Sequence, residues 1–138
     1  MRGKENLAKA KKKKKTRKKA AKKPPRADQF ALIAAKIAAE RRCRDIVVLD
    51  LRGKSPATDY FVIATGTSDR QMRSVAEEIC EEAKKMRLQL FGRAGFEQAR
   101  WILLDFIDVV IHLFDSEYRD YYDLDLLWGD AEKLIIDD

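Results

Sequence analysis

Apolar residues recur at helical spacing in two stretches of the chain. The first begins at Asp28, a predicted N-cap, and its apolar positions follow an i, i+3, i+4, i+7 pattern to about Arg42. In the second, Ser68 and Gln71 have the spacing of a capping box, and an apolar stripe continues from there to Met86. We predict an amphipathic helix in each stretch.

Short runs rich in β-branched and aromatic residues predict the strands. These runs are residues 46–49, 60–64, 88–91, 101–106 and 108–114. The last two are almost contiguous, so they predict an antiparallel hairpin. After the hairpin, Ser116 is the predicted cap of a final helix that reaches about Leu127. The order of the elements predicts an α/β fold, a single domain with one mixed sheet flanked by helices.

The charge of the chain is divided between two unlike parts. Residues 1–27 contain 14 Lys and Arg and one acidic residue, a net charge of +13, whereas residues 28–138 contain 15 basic and 22 acidic residues, a net charge of −7. A block of like charges repels itself and usually binds a polyanion. We therefore predict a disordered Lys-rich basic arm at 1–27 and a folded domain at 28–138. Pro24 and Pro25 end any helix in the arm.

Alternation along the first strand of the predicted hairpin separates two sets of side chains. The sets point to opposite faces of the sheet, Trp101, Leu103 and Asp105 on one and Ile102, Leu104 and Phe106 on the other. If helices cover only the second set, Trp101 lies on an open face and is a candidate binding residue. If both faces are covered, Trp101 belongs to the core. The pattern alone favours neither alternative.

Residues that could carry catalysis give weak signals. His112 is the only histidine, and a single histidine among apolar neighbours is more often a hydrogen-bonded structural residue than a catalyst. Residues 66–68, Gly-Thr-Ser, could bind a phosphate at a helix start. Their spacing matches neither a GxGxxG fingerprint nor a Walker A loop, so a helix cap is the default interpretation. We predict no catalytic residue and no cofactor.

Metal, membrane and export signals are equally weak. Cys43 and Cys80 are isolated and fit no zinc spacing, so we expect reduced, buried thiols in a cytosolic bacterial protein. The acidic residues near the C-terminus lack the spacing of a calcium loop and predict the wet face of a helix, not a metal site. We expect no membrane segment and no secretory signal, and import into an organelle stays open.

Three ordered motifs resemble the signatures of one family. They are residues 59–68, D-Y-F-V-I-A-T-G-T-S; residues 101–105 and 108–114, W-I-L-L-D and D-V-V-I-H-L-F; and residues 121–124 and 127–131, Y-Y-D-L and L-W-G-D-A. Over about residues 28–133 the chain resembles the ribosomal silencing factors of the RsfS/Iojap family. The basic arm lies outside this resemblance.

The resemblance implies a fold related to nucleotidyltransferases but without their catalytic residues. It also implies a non-enzymatic function: binding the large-subunit ribosomal protein numbered fourteen, blocking small-subunit joining and repressing translation. By position, the docking residues would be Trp101, Leu103, Asp105, Phe106 and His112. This favours the open-face alternative for Trp101. We also consider that the protein forms a homodimer.

On a ribosome, the polyanion available to the basic arm is ribosomal RNA. We expect the arm to contact it through its densest cationic run, Lys11, Lys12, Lys13, Lys14, Lys15, Arg17, Lys18 and Lys19.

Two residues depart from the family pattern. Ile107 stands where the family usually has Gly in the hairpin turn, and since a β-branched residue resists positive φ, we expect a wider turn or one of another type. Ala94 stands where the family commonly has Glu.

Two alternative functions remain. They are a small Mg-dependent nucleotidyltransferase using residues 66–68, Asp105 and Asp108, and an RNA-binding protein that acts through the arm.

Overall fold

The computed structural model describes residues 26–136 and contains four helices and six strands in that range. The helices are α1 (Ala27–Glu40), α2 (Asp69–Lys85), α3 (Ser116–Tyr122) and α4 (Leu124–Leu127). The strands are β1 (Arg44–Asp50), β2 (Tyr60–Thr65), β3 (Gly92–Ala94), β4 (Trp101–Asp105), β5 (Val109–Phe114) and β6 (Glu132–Lys133). None of these helices combines the length and the apolar composition needed to cross a membrane.

The six strands form one mixed sheet in the order β3-β4-β5-β2-β1-β6. The central pair β2 and β5 is parallel, and every other neighbouring pair is antiparallel. The predicted hairpin is the pair β4 and β5, in which Trp101 lies opposite Phe114 and Asp105 opposite Val110. The predicted α/β fold with one mixed sheet is confirmed.

Both faces of the sheet are covered, but by different kinds of structure. On the first face, α1 and α2 bury the larger core, which includes Phe30, Ile79 and Ile102. On the second face, Leu49, Phe61, Ile63, Leu103 and Phe114 are buried under the short α3, α4 and the chain up to Ala131. Burying each such side chain stabilises the fold by roughly 1.5–3 kcal/mol.

The capping box at the start of α2 is confirmed. The Ser68 hydroxyl accepts a hydrogen bond from the Gln71 amide at 3.0 Å, and the Gln71 side chain accepts one from the Thr67 amide at 2.7 Å. The predicted stripe is buried at Met72, Val75, Ala76, Ile79 and Ala83, whereas Cys80 is only partly buried, contrary to the expectation of a buried thiol. Local capping and tertiary burial therefore favour the same helix, which is why its sequence pattern was clear.

The strand predicted at residues 88–91 is wrong. The helix α2 is followed by Arg87 with φ +62°, and the Leu88 amide donates back to the Ala83 carbonyl at 2.8 Å. Leu88 and Leu90 pack on the first-face core, so their alternation reflects burial of one side without a neighbouring strand. Pairing with β4 as a strand is confined to the next three residues, Gly92–Ala94.

Two predicted helix caps are also wrong. In α1 the N-cap position is Arg26, whose side chain makes no capping hydrogen bond, and Asp28 lies inside the first turn. In α3 the cap is Asp115 instead of Ser116, since the Asp115 carboxylate accepts from the Tyr118 amide at 2.7 Å. The predicted single last helix breaks at Asp123, which has φ +46° and starts α4.

Candidate functional site

The turn between β4 and β5 has an unusual backbone. Ile107 has φ +76°, and the Asp108 amide donates to the Phe106 carbonyl at 2.9 Å. The expectation that Ile107 avoids positive φ in a wider turn is therefore wrong. The reason lies in the surroundings: the Asp105 carboxylate accepts a hydrogen bond from the Ile107 amide at 2.8 Å, and the Ile107 side chain is buried. Burial and this hydrogen bond hold a conformation that a β-branched residue alone disfavours.

Asp105 supports this turn from inside the protein. Its side chain is 0% exposed, and its second carboxylate oxygen has no hydrogen-bond partner among the described residues. Burial raises the pKa of the Asp105 carboxyl, and the hydrogen bond from Ile107 opposes this increase. The carboxylate is thus a structural acceptor and not a surface charge.

Most of the predicted docking residues are buried. Leu103 belongs to the second-face core, and Phe106 lies in the first-face core with its ring edge-on to Phe30 at 4.9 Å between centroids. His112 is also buried. Of the five predicted residues, Trp101 alone is partly exposed. The covered-face alternative therefore applies to this side of the hairpin, with Trp101 at the margin of the cover.

Trp101 is fixed by one hydrogen bond and two ring contacts. Its indole Nε1 donates to Nδ1 of His112 at 3.1 Å. Its ring lies 4.9 Å from that of Phe114 and 4.7 Å from that of Tyr122, measured between centroids. The tryptophan therefore connects the hairpin to α3.

His112 is an uncharged acceptor beneath Trp101. Burial lowers the pKa of the imidazole to about 3, so the ring is neutral at neutral pH. Because Nδ1 accepts from Trp101, the ring proton is on Nε2, and Nε2 is buried without a partner in the described part of the chain. The interpretation of His112 as a hydrogen-bonded structural residue fits this contact.

Three strongly exposed apolar residues near the C-terminus were missed in the sequence as candidate docking residues. Tyr121, Leu126 and Leu127 are 81%, 76% and 69% exposed. Tyr121 lies edge-on to Tyr122, whose ring also contacts Trp101 and Tyr118, and Leu126 and Leu127 follow in the adjoining helix α4. We call this group the C-terminal apolar surface, and its members are Trp101, Tyr118, Tyr121, Tyr122, Leu126 and Leu127. The available signal was the adjacent pair Leu126 and Leu127 among acidic residues, since one continuous amphipathic helix does not explain it.

The segment that carries most of the C-terminal apolar surface is acidic and is held by ion pairs. Residues 115–130 contain six acidic residues and one arginine. That arginine, Arg119, pairs with Asp125 at 3.0 Å and donates to the Thr65 hydroxyl at 2.9 Å, which fixes α3 and α4 to the sheet. Arg100 pairs with Asp115 and Glu117 and lies 4.4 Å from the centre of the Tyr118 ring. The residues that flank this surface along the chain are therefore predominantly acidic, and we call the six acidic residues of 115–130 the acidic rim.

The loop considered for phosphate binding is already engaged in the helix cap. It lines a cleft of about 390 Å³ together with Arg44 and Arg100. However, the Thr67 and Gln71 amides, which would donate to a phosphate, donate instead to side chains of the cap. A Cβ atom at Gly66 would lie 2.2 Å from Met72, so packing alone explains the glycine. The default interpretation as a helix cap fits these contacts.

Residues suited to metal binding do not converge in the described range. No group of three or more His, Cys, Asp or Glu side chains placed to hold a metal ion occurs within residues 26–136. Cys43 and Cys80 are both free, and burial raises the pKa of the Cys43 thiol to about 11. At neutral pH this thiol is protonated and a poor ligand or nucleophile.

These features define a class of protein: a small α/β domain with a group of exposed apolar side chains near its C-terminus. The sequence model of one family, "Ribosomal silencing factor during starvation", matches residues 24–138. The chain therefore belongs to the ribosomal silencing factor (RsfS) family.

Individual relatives agree with this assignment. The ribosomal silencing factor RsfS of Bacillus subtilis is 43% identical over 105 residues, which are 76% of this chain and 89% of that protein. The chloroplastic protein Iojap of Arabidopsis thaliana is 33% identical over 105 residues, 76% of this chain and 44% of that protein. A crystal structure of a Chromobacterium violaceum protein superimposes with a TM-score of 0.72 at 29% identity, covering 80% of this chain and 92% of that one.

Proposed function

We propose that this protein silences ribosomes by binding the large subunit through its C-terminal apolar surface. It binds the large-subunit ribosomal protein numbered fourteen. In this position it sterically blocks joining of the small subunit and so represses translation. Membership of the silencing-factor family supports the ribosomal role. The observation that carries the docking site is the exposure of Tyr121, Leu126 and Leu127, since a solvated chain gains nothing from such a group unless a partner covers it.

The charge around this surface favours a protein partner over RNA. The acidic rim repels phosphates at long range but attracts lysine and arginine side chains on a basic ribosomal protein. Aromatic residues at the centre, with a polar rim around them, are typical of protein interfaces. The short-range contacts therefore choose the site, and the charges orient the approach.

The five docking residues expected from the sequence take three different roles in this proposal. Trp101 contacts the partner directly through its exposed edge, next to Tyr122. Leu103, Phe106 and His112 hold the hairpin from below, since all three are buried. Asp105 acts on the turn through its hydrogen bond to Ile107.

The basic arm supplies a second, less specific contact. Residues 1–25 lie outside the described residues, and the boundary between arm and domain at residue 27 is part of the proposal. The arm, Lys11 to Lys19 above all, contacts ribosomal RNA by displacing counterions from phosphates. Its charge of +13 offsets the repulsion between RNA and a domain of charge −7. The ribosome-bound protein works in the bacterial cytoplasm.

The protein acts without catalysis in this proposal. A magnesium-dependent nucleotidyltransferase would need carboxylates that converge on the metal, whereas Asp105 is buried and bonded to the backbone of its own turn. In the loop at residues 66–68, the Thr67 amide donates to the Gln71 side chain and the Gly66 amide donates to the Phe114 carbonyl. In the absence of ribosomes, two copies pair through the same apolar surface, so a homodimer and the ribosomal complex compete.

Binding of surface variants to purified large subunits tests the proposal. Leu126→Ser and Tyr121→Ala each remove an exposed apolar contact, so we expect binding to weaken by roughly tenfold or more, the size of a hot-spot loss. The matched control is Ile135→Ser, since Ile135 is 87% exposed but lies outside the C-terminal apolar surface. Its binding should be unchanged. Equal binding by all four proteins would place the docking site elsewhere.

A further inference from the structure

One hydrogen bond connects the buried part of the hairpin to the proposed docking surface. It runs from the indole Nε1 of Trp101 to Nδ1 of His112, over 3.1 Å. The donor residue is partly exposed and the acceptor is buried. Through this bond, a group inside the protein orients a ring at the surface.

The imidazole of His112 is a costly residue to bury at this position. Its neighbours are apolar or aromatic: Phe61 lies edge-on at 4.4 Å and Phe114 is stacked at 6.1 Å, measured between ring centroids. The Nε2–H group is buried without a partner in the described range, and an unsatisfied buried donor destabilises the fold. A phenylalanine ring would fill the same space without this penalty, so packing does not explain the histidine.

What the histidine provides is an acceptor for Trp101. Without it, the indole N–H would lose this hydrogen bond and would have to turn towards water or another acceptor. Turning the indole would move the edge that lies beside Tyr122. The orientation of the partner-facing edge thus depends on Nδ1 of His112.

We infer that His112 is a positioning residue for docking: its Nδ1 holds the Trp101 indole at the angle at which the ring and Tyr122 form one continuous contact surface. The inference rests on the proposed function, since it assigns a role within the same docking site. His112 itself does not touch the partner. Its effect on binding passes entirely through Trp101.

The test compares two substitutions at position 112 in the full-length protein. His112→Phe keeps a ring and removes the acceptor, whereas His112→Asn returns an oxygen acceptor close to the position of Nδ1. The first readout is the Trp101 indole N–H resonance, identified with Trp128→Phe, which leaves Trp101 as the only tryptophan. We expect His112→Phe to shift this resonance and to speed its hydrogen exchange about tenfold, and His112→Asn to restore slow exchange.

The second readout is binding to purified large subunits. We expect His112→Phe to bind roughly fivefold or more weakly while its thermal stability is equal to or above that of wild type, and His112→Asn to recover most of the binding. In a Trp101→Phe background, His112→Phe should cause no further loss, because the two residues act through one bond. If the Phe variant does not fold, His112→Leu removes the same acceptor with a different shape.

The possible failures are distinct. If His112→Phe binds as tightly as wild type while Leu126→Ser does not bind, the positioning role is overturned and the proposed docking surface stands. An unchanged indole resonance in His112→Phe overturns the hydrogen bond itself. If wild-type protein does not bind large subunits, the proposed function fails, and the positioning role fails with it.

Discussion

At the scale of single residues, the second face of the sheet contains two buried ionisable groups. Their titration changes the stability of the fold with pH in opposite directions. Burial lowers the pKa of His112 and raises that of Asp105, so each group is held towards its neutral form. Neither has an ion-pair partner among the described residues. Both nevertheless accept a hydrogen bond, His112 from the Trp101 indole and Asp105 from the Ile107 amide.

The histidine predicts a loss of stability in mild acid. Since the pKa of His112 falls from about 6.5 in the unfolded chain to about 3 in the folded protein, the unfolded state binds more protons between these values. Stability contributed by the neutral ring is therefore present above pH 6.5 and is lost as pH falls towards 3. Between pH 7 and pH 5 we expect the free energy of unfolding to decrease by about 2 kcal/mol from this group.

Urea unfolding of wild type and His112→Phe at both pH values isolates this contribution. Asp105 acts in the opposite direction, since its raised pKa makes the folded state lose stability as pH rises, but it is common to both proteins. The difference between the two proteins should grow by about 2 kcal/mol in favour of the Phe variant at pH 5. An equal pH dependence in both proteins would mean that His112 is accessible to protons in the folded state.

At the turn residue Ile107, we expect the usual order of stability of Ala and Gly variants to be reversed. Both Ile107→Ala and Ile107→Gly remove the buried side chain, but only glycine adopts φ +76° without strain. We expect the Gly variant to be more stable than the Ala variant by roughly 0.5–1 kcal/mol in urea unfolding. At Ser74, within α2, the same pair should show the ordinary order, with Ala more stable by about 1 kcal/mol. The ordinary order at position 107 would contradict the positive φ.

At the scale of elements, the sequence predicted those that local and tertiary signals specify together. The α2 capping box and stripe, and the hairpin of β4 and β5, follow from short-range patterns that the fold reinforces. The run at residues 88–91 alternates like a strand, but strand formation needs a neighbouring strand, which local sequence does not reveal. The break at Asp123 depends on the ion pair and packing that hold α3 and α4 on the sheet.

The start of α3 offers a direct comparison of two adjacent caps. Asp115 accepts from the Tyr118 amide and pairs with Arg100, whereas Ser116 is the first helical residue. We expect Asp115→Ala to lower the free energy of unfolding by about 1–2 kcal/mol and Ser116→Ala to change it by less than about 0.5 kcal/mol. Asp115→Asn should lie between them, because Asn retains the cap but not the charge. A larger loss for Ser116→Ala would restore Ser116 as the cap.

At the scale of the whole molecule, the sequence predicted the fold class, but only part of the candidate site. Trp101 was found because its strand alternates, yet alternation does not say what covers each face. Residues far along the chain, Tyr122 and Trp128, provide that cover. The exposed apolar side chains of Tyr121 and Leu126 are evident only once the C-terminal segment is folded over the sheet.

The basic arm predicts a salt effect that is separate from site choice. Deleting residues 1–26 should weaken binding to large subunits at low ionic strength and flatten the dependence of affinity on salt, because fewer counterions are released. Replacing Lys11 to Lys15 with Gln is the control that keeps the length of the arm, and it should give an intermediate slope. Binding measured across a salt series checks this. Equal slopes for all three proteins would show that the arm does not contact RNA in the complex.

The central claim is that this protein occupies large subunits in a way that prevents small subunits from joining them. The most direct measurement is gradient sedimentation of large subunits saturated with the protein and then mixed with small subunits. We expect wild-type protein only on free large subunits and little joined ribosome, whereas Leu126→Ser, at the same concentration, should permit joining. Wild-type protein that sediments together with fully joined ribosomes would contradict the account.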